Sequence, residues 1–189
     1  KRLGAVVSAT DVRLAAKEQV QSLGGKFVII DSDELKDAET AGGYAKEMSE
    51  DFKKQQAELI ASTLANQDIA ICTALIPGKK APVLITEENV KSMKPGSVII
   101  DLAAQSGGNC TLSKPGETVE AHGVTIIGAT DFASEIPQDA SALYAKNLLN
   151  FMAILFDKET KELNIDWEDE IIVNTALTKK GAFIHKEFI

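Results

Sequence analysis

The sequence predicts an α/β fold: a doubly wound, mainly parallel sheet, followed by a long helix and a small antiparallel element that belong to a second domain. Three observations lead there. Short apolar runs at Lys26–Ile30, Asp68–Cys72, Ser97–Leu102 and Gly123–Gly128 alternate with stretches of helical spacing, and strand–helix alternation builds a parallel sheet. The run Ile69-Ala70-Ile71-Cys72 is continuous rather than alternating, the mark of a strand buried on both faces. From Ala129 the pattern changes to a loop, one long amphipathic helix and an alternating tail. That change marks the end of the alternating region and the start of a second segment.

The 189 residues allow one large domain, or one domain and part of another. A net charge of -8 argues against a nucleic-acid binder, because nothing neutralises phosphates along a duplex. No apolar run reaches the length that spans a bilayer, and no secretory leader is visible. Cys72 and Cys110 have neither metal-ligand nor disulfide-framework spacing. Cys72 lies within an apolar run and reads as a small core residue, which fits a reducing, cytosol-like compartment.

Taken in order, Lys1-Arg2-Leu3-Gly4 reads as the last turn of a helix, so the chain reads as a cut from a longer one. Ala5–Thr10 is a short strand ending at Asp11-Val12-Arg13. An acid at the tip of the second strand of a dinucleotide-binding unit accepts hydrogen bonds from the adenosine ribose. Asp11 serves equally as the N-cap of a helix from Val12 to Leu23. That helix stops at Gly24-Gly25, and the strand Lys26–Ile30 follows. Asp31 to Ser49 is long, polar and acidic, and contains Ala41-Gly42-Gly43-Tyr44-Ala45. Two glycines beside a tyrosine suit a flap that closes over a ligand; a solvated surface loop is the plainer reading. Glu50 to Asn66 is a helix expected to bury Phe52, Ala57, Leu59, Ile60 and Leu64.

The strand at Asp68–Cys72 stops at Ile76-Pro77-Gly78. In open α/β sheets the loops at the carboxyl ends of strands hold the ligand, so Thr73-Ala74-Leu75-Ile76-Pro77-Gly78 is a candidate rim; a buried strand with a Pro-Gly turn is the alternative. Lys79 and Lys80 lie on this rim and read as solvated. Thr86 caps a helix with Glu87 and Glu88 in its first turn, closed by Met93–Gly96. After the strand Ser97–Leu102 come Gly107-Gly108-Asn109-Cys110, and glycines just past a strand let backbone approach a ligand. A loop at Thr130–Pro137 leads to a helix from Asp139 to Phe156, with Leu143, Tyr144, Asn147, Leu148, Phe151, Met152 and Leu155 on or near one face. Leu163–Trp167, Ile171-Ile172-Val173 and Ala182-Phe183-Ile184, the last after a Lys179-Lys180-Gly181 turn, read as a small antiparallel element needing a partner to pack on.

The sequence shows no Ser-His-Asp set, no metal-ligand cluster and no obvious general base, and His122 and His185 read as structural. Such a site fits direct hydride transfer between two cofactors, because the hydride chemistry is the cofactor's own. It fits a plain binding module equally well. The phosphate loop Gly-x-Gly-x-x-Gly is absent and is expected upstream of Lys1.

One resemblance draws these features together. Ala9-Thr10-Asp11-Val12-Arg13, Glu18-Gln19-Val20-Gln21-Ser22-Leu23-Gly24, Ala41-Gly42-Gly43-Tyr44-Ala45-Lys46-Glu47-Met48, Thr73-Ala74-Leu75-Ile76-Pro77-Gly78-Lys79, the run from Lys94-Pro95-Gly96 to Leu102-Ala103, and Gly107-Gly108-Asn109-Cys110 resemble the NAD(H)-binding first component of proton-translocating nicotinamide nucleotide transhydrogenase. The similarity covers nearly the whole chain and is weakest after Asp157. It implies a Rossmann-like domain at 1–135 and a peripheral, dimeric protein on the cytoplasmic or mitochondrial matrix side of a membrane. It implies hydride transfer between NAD(H) on this component and NADP(H) on a partner component, coupled by a membrane component to proton translocation, with no catalytic side chain. By motif match, Asp11, Val12 and Arg13 contact the adenosine end of NAD; Gly43 and Tyr44 sit in the closing loop; Thr73, Ala74 and Leu75 line the inner site; Gly107, Gly108 and Asn109 lie by the cofactor cleft. The family's N-terminal half, with its first strand, glycine loop and Arg/Gln-bearing loop, lies outside this sequence, and the chain alone is expected to be inactive. The resemblance also implies that the segment from 136 returns to the other domain. Alanine dehydrogenase, of the same superfamily, shares the Pro-Gly and Gly-Gly strand ends, whereas the Ala41–Tyr44 flap and Thr73-Ala74-Leu75 favour transhydrogenase. A non-catalytic nucleotide-binding fragment is the reading from a different class.

Overall fold

In the computed structural model, residues 1, 3–11, 13–32, 49–76 and 78–185 are described. The chain divides into two units, Lys1–Asp131 and Phe132–Ile189.

The first unit opens with Ser8–Ala9 (β1), paired in parallel with Lys26–Phe27 (β2), and Leu14–Ser22 (α1) connects them. Both strands are shorter than their apolar runs. The Lys26 N–H still donates to the Val7 carbonyl and the Val28 N–H to the Ala9 carbonyl, so pairing reaches one residue to either side. α1 begins later than expected. Its N-cap is Arg13, which makes no side-chain cap bond, so Asp11 is not the helix cap. The carboxylate accepts the Arg13 N–H instead, at 2.9 Å, a local turn that competes with helix initiation.

Glu50–Leu64 (α2) starts where the chemistry says it should. Ser49 Oγ accepts the Phe52 N–H, and Glu50 and Asp51 lie at the positive end of the helix dipole. Phe52 and Leu64 are buried and Leu59 and Ile60 half-buried, but Ala57 is exposed and Gln56 takes the inward place expected of it.

Ile69–Cys72 (β3), Glu87–Ser92 (α3), Val98–Asp101 (β4), Thr118–Ala121 (β5) and Val124–Gly128 (β6) follow. The sheet order is β3-β4-β6-β5, with β3–β4 and β4–β6 parallel and β5–β6 antiparallel. β5 is a strand the sequence does not announce. It joins β6 through His122 and Gly123, whose φ values of 54° and 77° are the two positive angles a tight two-residue hairpin loop requires. α3 carries a full capping box between Thr86 and Asn89.

Ala70 and Cys72 of β3, Ile99 of β4, and Val124 and Ile126 of β6 pack with Leu64 of α2 and with Val90 and Met93 in and just after α3. That is one face of the sheet. The expectation that β3 is buried on both faces is corrected: Ile69 and Ile71 are 61% and 63% exposed. Their side chains point away from α2 and α3, and no described helix covers them.

In the second unit Phe132–Glu135 (α4) is a short helix where a loop was expected. Pro137–Ala153 (α5) begins on Pro137, whose fixed φ suits the first helical turn, and it buries none of its residues. The tail is corrected in part. Glu170–Thr175 (α6) is a helix, not a strand: Asp169 accepts the N–H groups of Ile171 and Ile172 and only Ile172 is buried. Leu163 makes a single bridge to Phe156, and the rest of 163–167 forms no strand. The expected hairpin is present as Thr178–Lys179 (β7) and Ala182–Phe183 (β8). The Lys179 ammonium lies 4.1 Å from the centre of the Trp167 ring, a cation–π contact.

Candidate functional site

β3 and β4 run parallel, so their carboxyl ends, Cys72 and Asp101, lie side by side, and two loops leave the sheet together. A strand that ends strips its backbone of ladder partners, and those groups must be satisfied elsewhere. Here each loop satisfies the other. The Leu102 N–H donates to the Cys72 carbonyl, the Ala81 N–H to Ser106, the Leu84 and Ile85 N–H groups to Asn109, and the Thr111 N–H to Ile85.

Asn109 closes this lacing. It is 0% exposed. Its Oδ1 accepts the Ala74 N–H at 3.0 Å, and its Nδ2 donates to the Ala74 carbonyl at 2.9 Å and to the Pro82 carbonyl at 2.7 Å. Asp101 holds the other end. Also 0% exposed, it accepts N–H groups from Ala103 at 2.9 Å, Asn109 at 2.8 Å and Cys110 at 3.0 Å. Three backbone donors are what a buried carboxylate needs, since each bond to a charged group is among the stronger kind. Gly108 explains the glycine pair: at φ 77° an added Cβ would stand 3.0 Å from Asp101 Oδ2.

The rim above this brace is open. Thr73 and Gly107 are exposed, Leu75 is 52% exposed, and Ala74 is half-buried. Gly107 lies under the aliphatic stem of Lys80; a Cβ there would meet Lys80 Cγ at 2.7 Å. Lys80, read from the sequence as solvated, is exposed, and its stem crosses the glycine. Gly108 is buried, and only its backbone shapes the rim.

A second cluster sits at the end of β1. Arg13 grips Asp11 with two side-chain bonds, Nε to Oδ1 at 3.0 Å and Nη2 to Oδ2 at 2.6 Å. Thr10 is fastened by Gln56, whose Nε2 donates to Thr10 Oγ1 at 2.9 Å and to the Val28 carbonyl at 3.2 Å, while its Oε1 accepts the Ile30 N–H at 3.0 Å. The structure thus joins Ala74 with Asn109 and Asp11 with Arg13. Val12, Gly43 and Tyr44 lie outside the described residues. Sequence reasoning missed Asp101 and Gln56. Both are polar residues inside apolar periodicity, and a Gln at an inward helical position among Phe52, Ile60 and Leu64 was the available signal.

The two thiols beneath the rim are buried. Burial, reinforced by the charge of Asp101 and by Cys110, pushes Cys72 up to about 12, and burial likewise raises Cys110. Among the described residues no group of three or more His, Cys, Asp or Glu is arranged to hold a metal.

Known proteins are similar to this chain along most of its length. A family model described as Alanine dehydrogenase/PNT, C-terminal domain, matches residues 1–186. The chain is similar to an NAD(P) transhydrogenase subunit alpha polypeptide of Rhodospirillum rubrum, 62% identical over 185 residues, which is 98% of this chain and 48% of that protein. It superposes on the crystal structure of transhydrogenase from Sinorhizobium meliloti with a TM-score of 0.73 and 47% identity, covering 97% of this chain and 46% of that one. Alanine dehydrogenase 1 of Staphylococcus aureus is a more distant relative, 32% identical over 161 residues, 82% of this chain and 41% of that protein. The chain spans about half the length of the relatives it matches. The fold is the Rossmann-like α/β fold of these relatives, and the chain belongs to the alanine dehydrogenase/PNT C-terminal domain family.

Proposed function

We propose that this chain is a portion of the NAD(H)-binding component of an NAD(P) transhydrogenase, with residues 1–135 as the nucleotide-binding domain and 136–189 belonging with the remainder of the protein. The observation that carries the proposal is the pair of laced loops at the carboxyl ends of β3 and β4. They present Thr73, Leu75 and Gly107 at an open rim over a fully hydrogen-bonded base. This is where an open α/β sheet holds a nucleotide. Similarity to transhydrogenase alpha subunits along the whole chain supports the same reading.

The residues fit NAD(H). Gly107 is an exposed rim glycine at φ 100°, beside the Lys80 stem, and Leu75 offers an exposed apolar side chain to a flat ring. Asp11 is half-buried at the end of β1, where an acid can meet the ribose hydroxyls. Thr73, Ala74, Leu75 and Gly107 would hold the cofactor along the inner wall, with Gly108 and Asn109 behind them. Asp11, Val12 and Arg13 would hold its adenosine end, and Gly43 and Tyr44 would close over it. Bound NAD(H) supplies the hydride chemistry. The chain's own task is to orient the cofactor, with no proton to move. In this reading NADP(H) binds a partner component and a membrane component couples transfer to proton translocation. The NAD(H) component is a homodimer, peripheral to the membrane on its cytoplasmic or matrix face. No described helix is long and apolar enough to cross a membrane.

The test uses the polypeptide at the length of its relatives. NADH binding is followed by fluorescence, and hydride transfer from NADH to an NADP analogue is followed after adding the NADP(H)-binding component. Binding and transfer are expected. Alanine-dependent reduction of NAD without the partner would favour the alanine dehydrogenase reading, and binding with no transfer in the complete assembly would leave a nucleotide-binding module.

A further inference from the structure

We infer that Asp101 and Asn109 are positioning residues that set the inner wall of the nucleotide site, although neither side chain reaches the surface. The inference rests on the reading of that wall as an NAD(H) site. Asp101 is the last residue of β4, anchored in the sheet between Cys72 of β3 and Gly128 of β6. Through Oδ2 it fixes the N–H groups of Asn109 and Cys110, and through Oδ1 that of Ala103, so both ends of the turn 103–110 are tied to one carboxylate. The Asn109 amide then crosses to the opposite loop. It takes both backbone groups of Ala74 and the carbonyl of Pro82, gripping the loop 73–82 at its start and its end. The path from sheet to rim is thus carboxylate, main-chain amide, side-chain amide and the main chain of Ala74, each link at 2.8–3.0 Å. Thr73 and Leu75 flank Ala74 directly, so their places are fixed by a residue no ligand can touch. The geometry rejects near-isosteres. Whichever way an Asn at 101 turns, its NH2 faces a backbone N–H. An Asp at 109 still accepts the Ala74 N–H but sets oxygen against the carbonyls of Ala74 and Pro82.

The experiment compares Asp101→Asn, Asn109→Ala and Asn109→Asp with Ser97→Ala in the polypeptide at the relatives' length. Ser97 is equally buried, but at the amino end of β4, where its hydroxyl donates to the Gln67 carbonyl. Each variant is titrated with NADH at a temperature where circular dichroism shows it folded, and its thermal midpoint is recorded. Asn109→Asp keeps the shape of the side chain, so it serves if Asn109→Ala does not fold. The brace variants are expected to raise the NADH dissociation constant about tenfold or more, as misplaced binding groups do. Ser97→Ala should lower the midpoint and leave the dissociation constant unchanged. The double variant Asp101→Asn with Asn109→Asp should lose little more than the worse single one, because both break one chain of bonds. Lowered midpoints with unchanged NADH affinity would overturn the inference and leave the proposed function standing. Failure of the unsubstituted polypeptide to bind NADH would overturn the proposed function itself.

Discussion

Replacing Gln56 by Ala tests how the ends of β1 and β2 are held. Gln56 is 7% exposed and serves three groups, the Val28 carbonyl, the Ile30 N–H and the Thr10 hydroxyl. The Val28 carbonyl is buried and would be orphaned, which costs about 1–3 kcal/mol. Ile30 and Thr10 reach water, so each loses only the net value of an ordinary bond, about 0.5–1 kcal/mol. The expected total is about 2–5 kcal/mol, equivalent to a fall of about 4–20 °C in midpoint for a chain of this size. Gln55→Ala is the matched control: it makes the same change one position along α2, where Gln55 is exposed and bonds only across one turn to Asp51. That change should cost less than about 0.5 kcal/mol. Urea denaturation gives both numbers, and hydrogen exchange at the Ile30 amide reports the lost acceptor directly. If Gln56→Ala costs no more than Gln55→Ala, or if the Ile30 amide stays protected, the clamp across β1, β2 and α2 is refuted.

Two further outcomes follow from single contacts. Gly128→Ala would place a Cβ 1.9 Å from the Lys114 carbonyl oxygen; backbone must move, and a loss above about 3 kcal/mol is expected on denaturation, as for severe overpacking. Cys72 and Cys110 should resist a thiol reagent at pH 8 in the folded protein and react once unfolded. Because burial raises the folded Cys72 value from 9.0 to about 12, its contribution to stability is complete below pH 9 and is lost as pH rises toward 12, where the unfolded thiol ionises first. Rapid labelling of the native protein at pH 8 would contradict this burial.

Elements whose signals are local and redundant were legible in the sequence. Thr86 with two acids after it marked α3, the apolar runs marked β3, β4 and β6, and Lys180-Gly181 marked the terminal hairpin. β5 was hidden because Thr118 and Glu120 face solvent, so Thr-Val-Glu-Ala reads as a polar connection; the His122-Gly123 pair behind it carried the hairpin signal. Ile171-Ile172-Val173 misled in the opposite sense. A short β-branched run does not distinguish strand from helix, and Asp169, bonded to two of the following N–H groups, decided it. At the rim Thr73, Leu75 and Gly107 are exposed, whereas Asn109, expected by the cofactor cleft, is buried with its amide bonded to the Ala74 and Pro82 carbonyls. Only three dimensions show that, since its partners lie 27 and 35 residues away.

The buried polar groups are not scattered. Of Gln56, Ser97, Asp101 and Asn109, three serve backbone that has just left the carboxyl end of a strand. Beneath them the sheet face packs on α2 and α3 through apolar side chains, which hold the strands but say nothing about where the loops go. Loops need directional bonds, because an apolar contact fixes distance without orientation whereas an amide or carboxylate fixes both. A fully satisfied polar brace rigidifies a loop and a half-satisfied one costs stability, and the described side-chain bonds of these three residues all go to segments at strand ends. The rim residues are thereby freed from structural duty: Thr73 and Leu75 can face outward because Ala74 between them is held from behind. Shape is set by buried amides and contact by exposed neighbours, so variation at Thr73 or Leu75 should alter nucleotide affinity without unfolding the wall, while variation at Asp101 or Asn109 alters both.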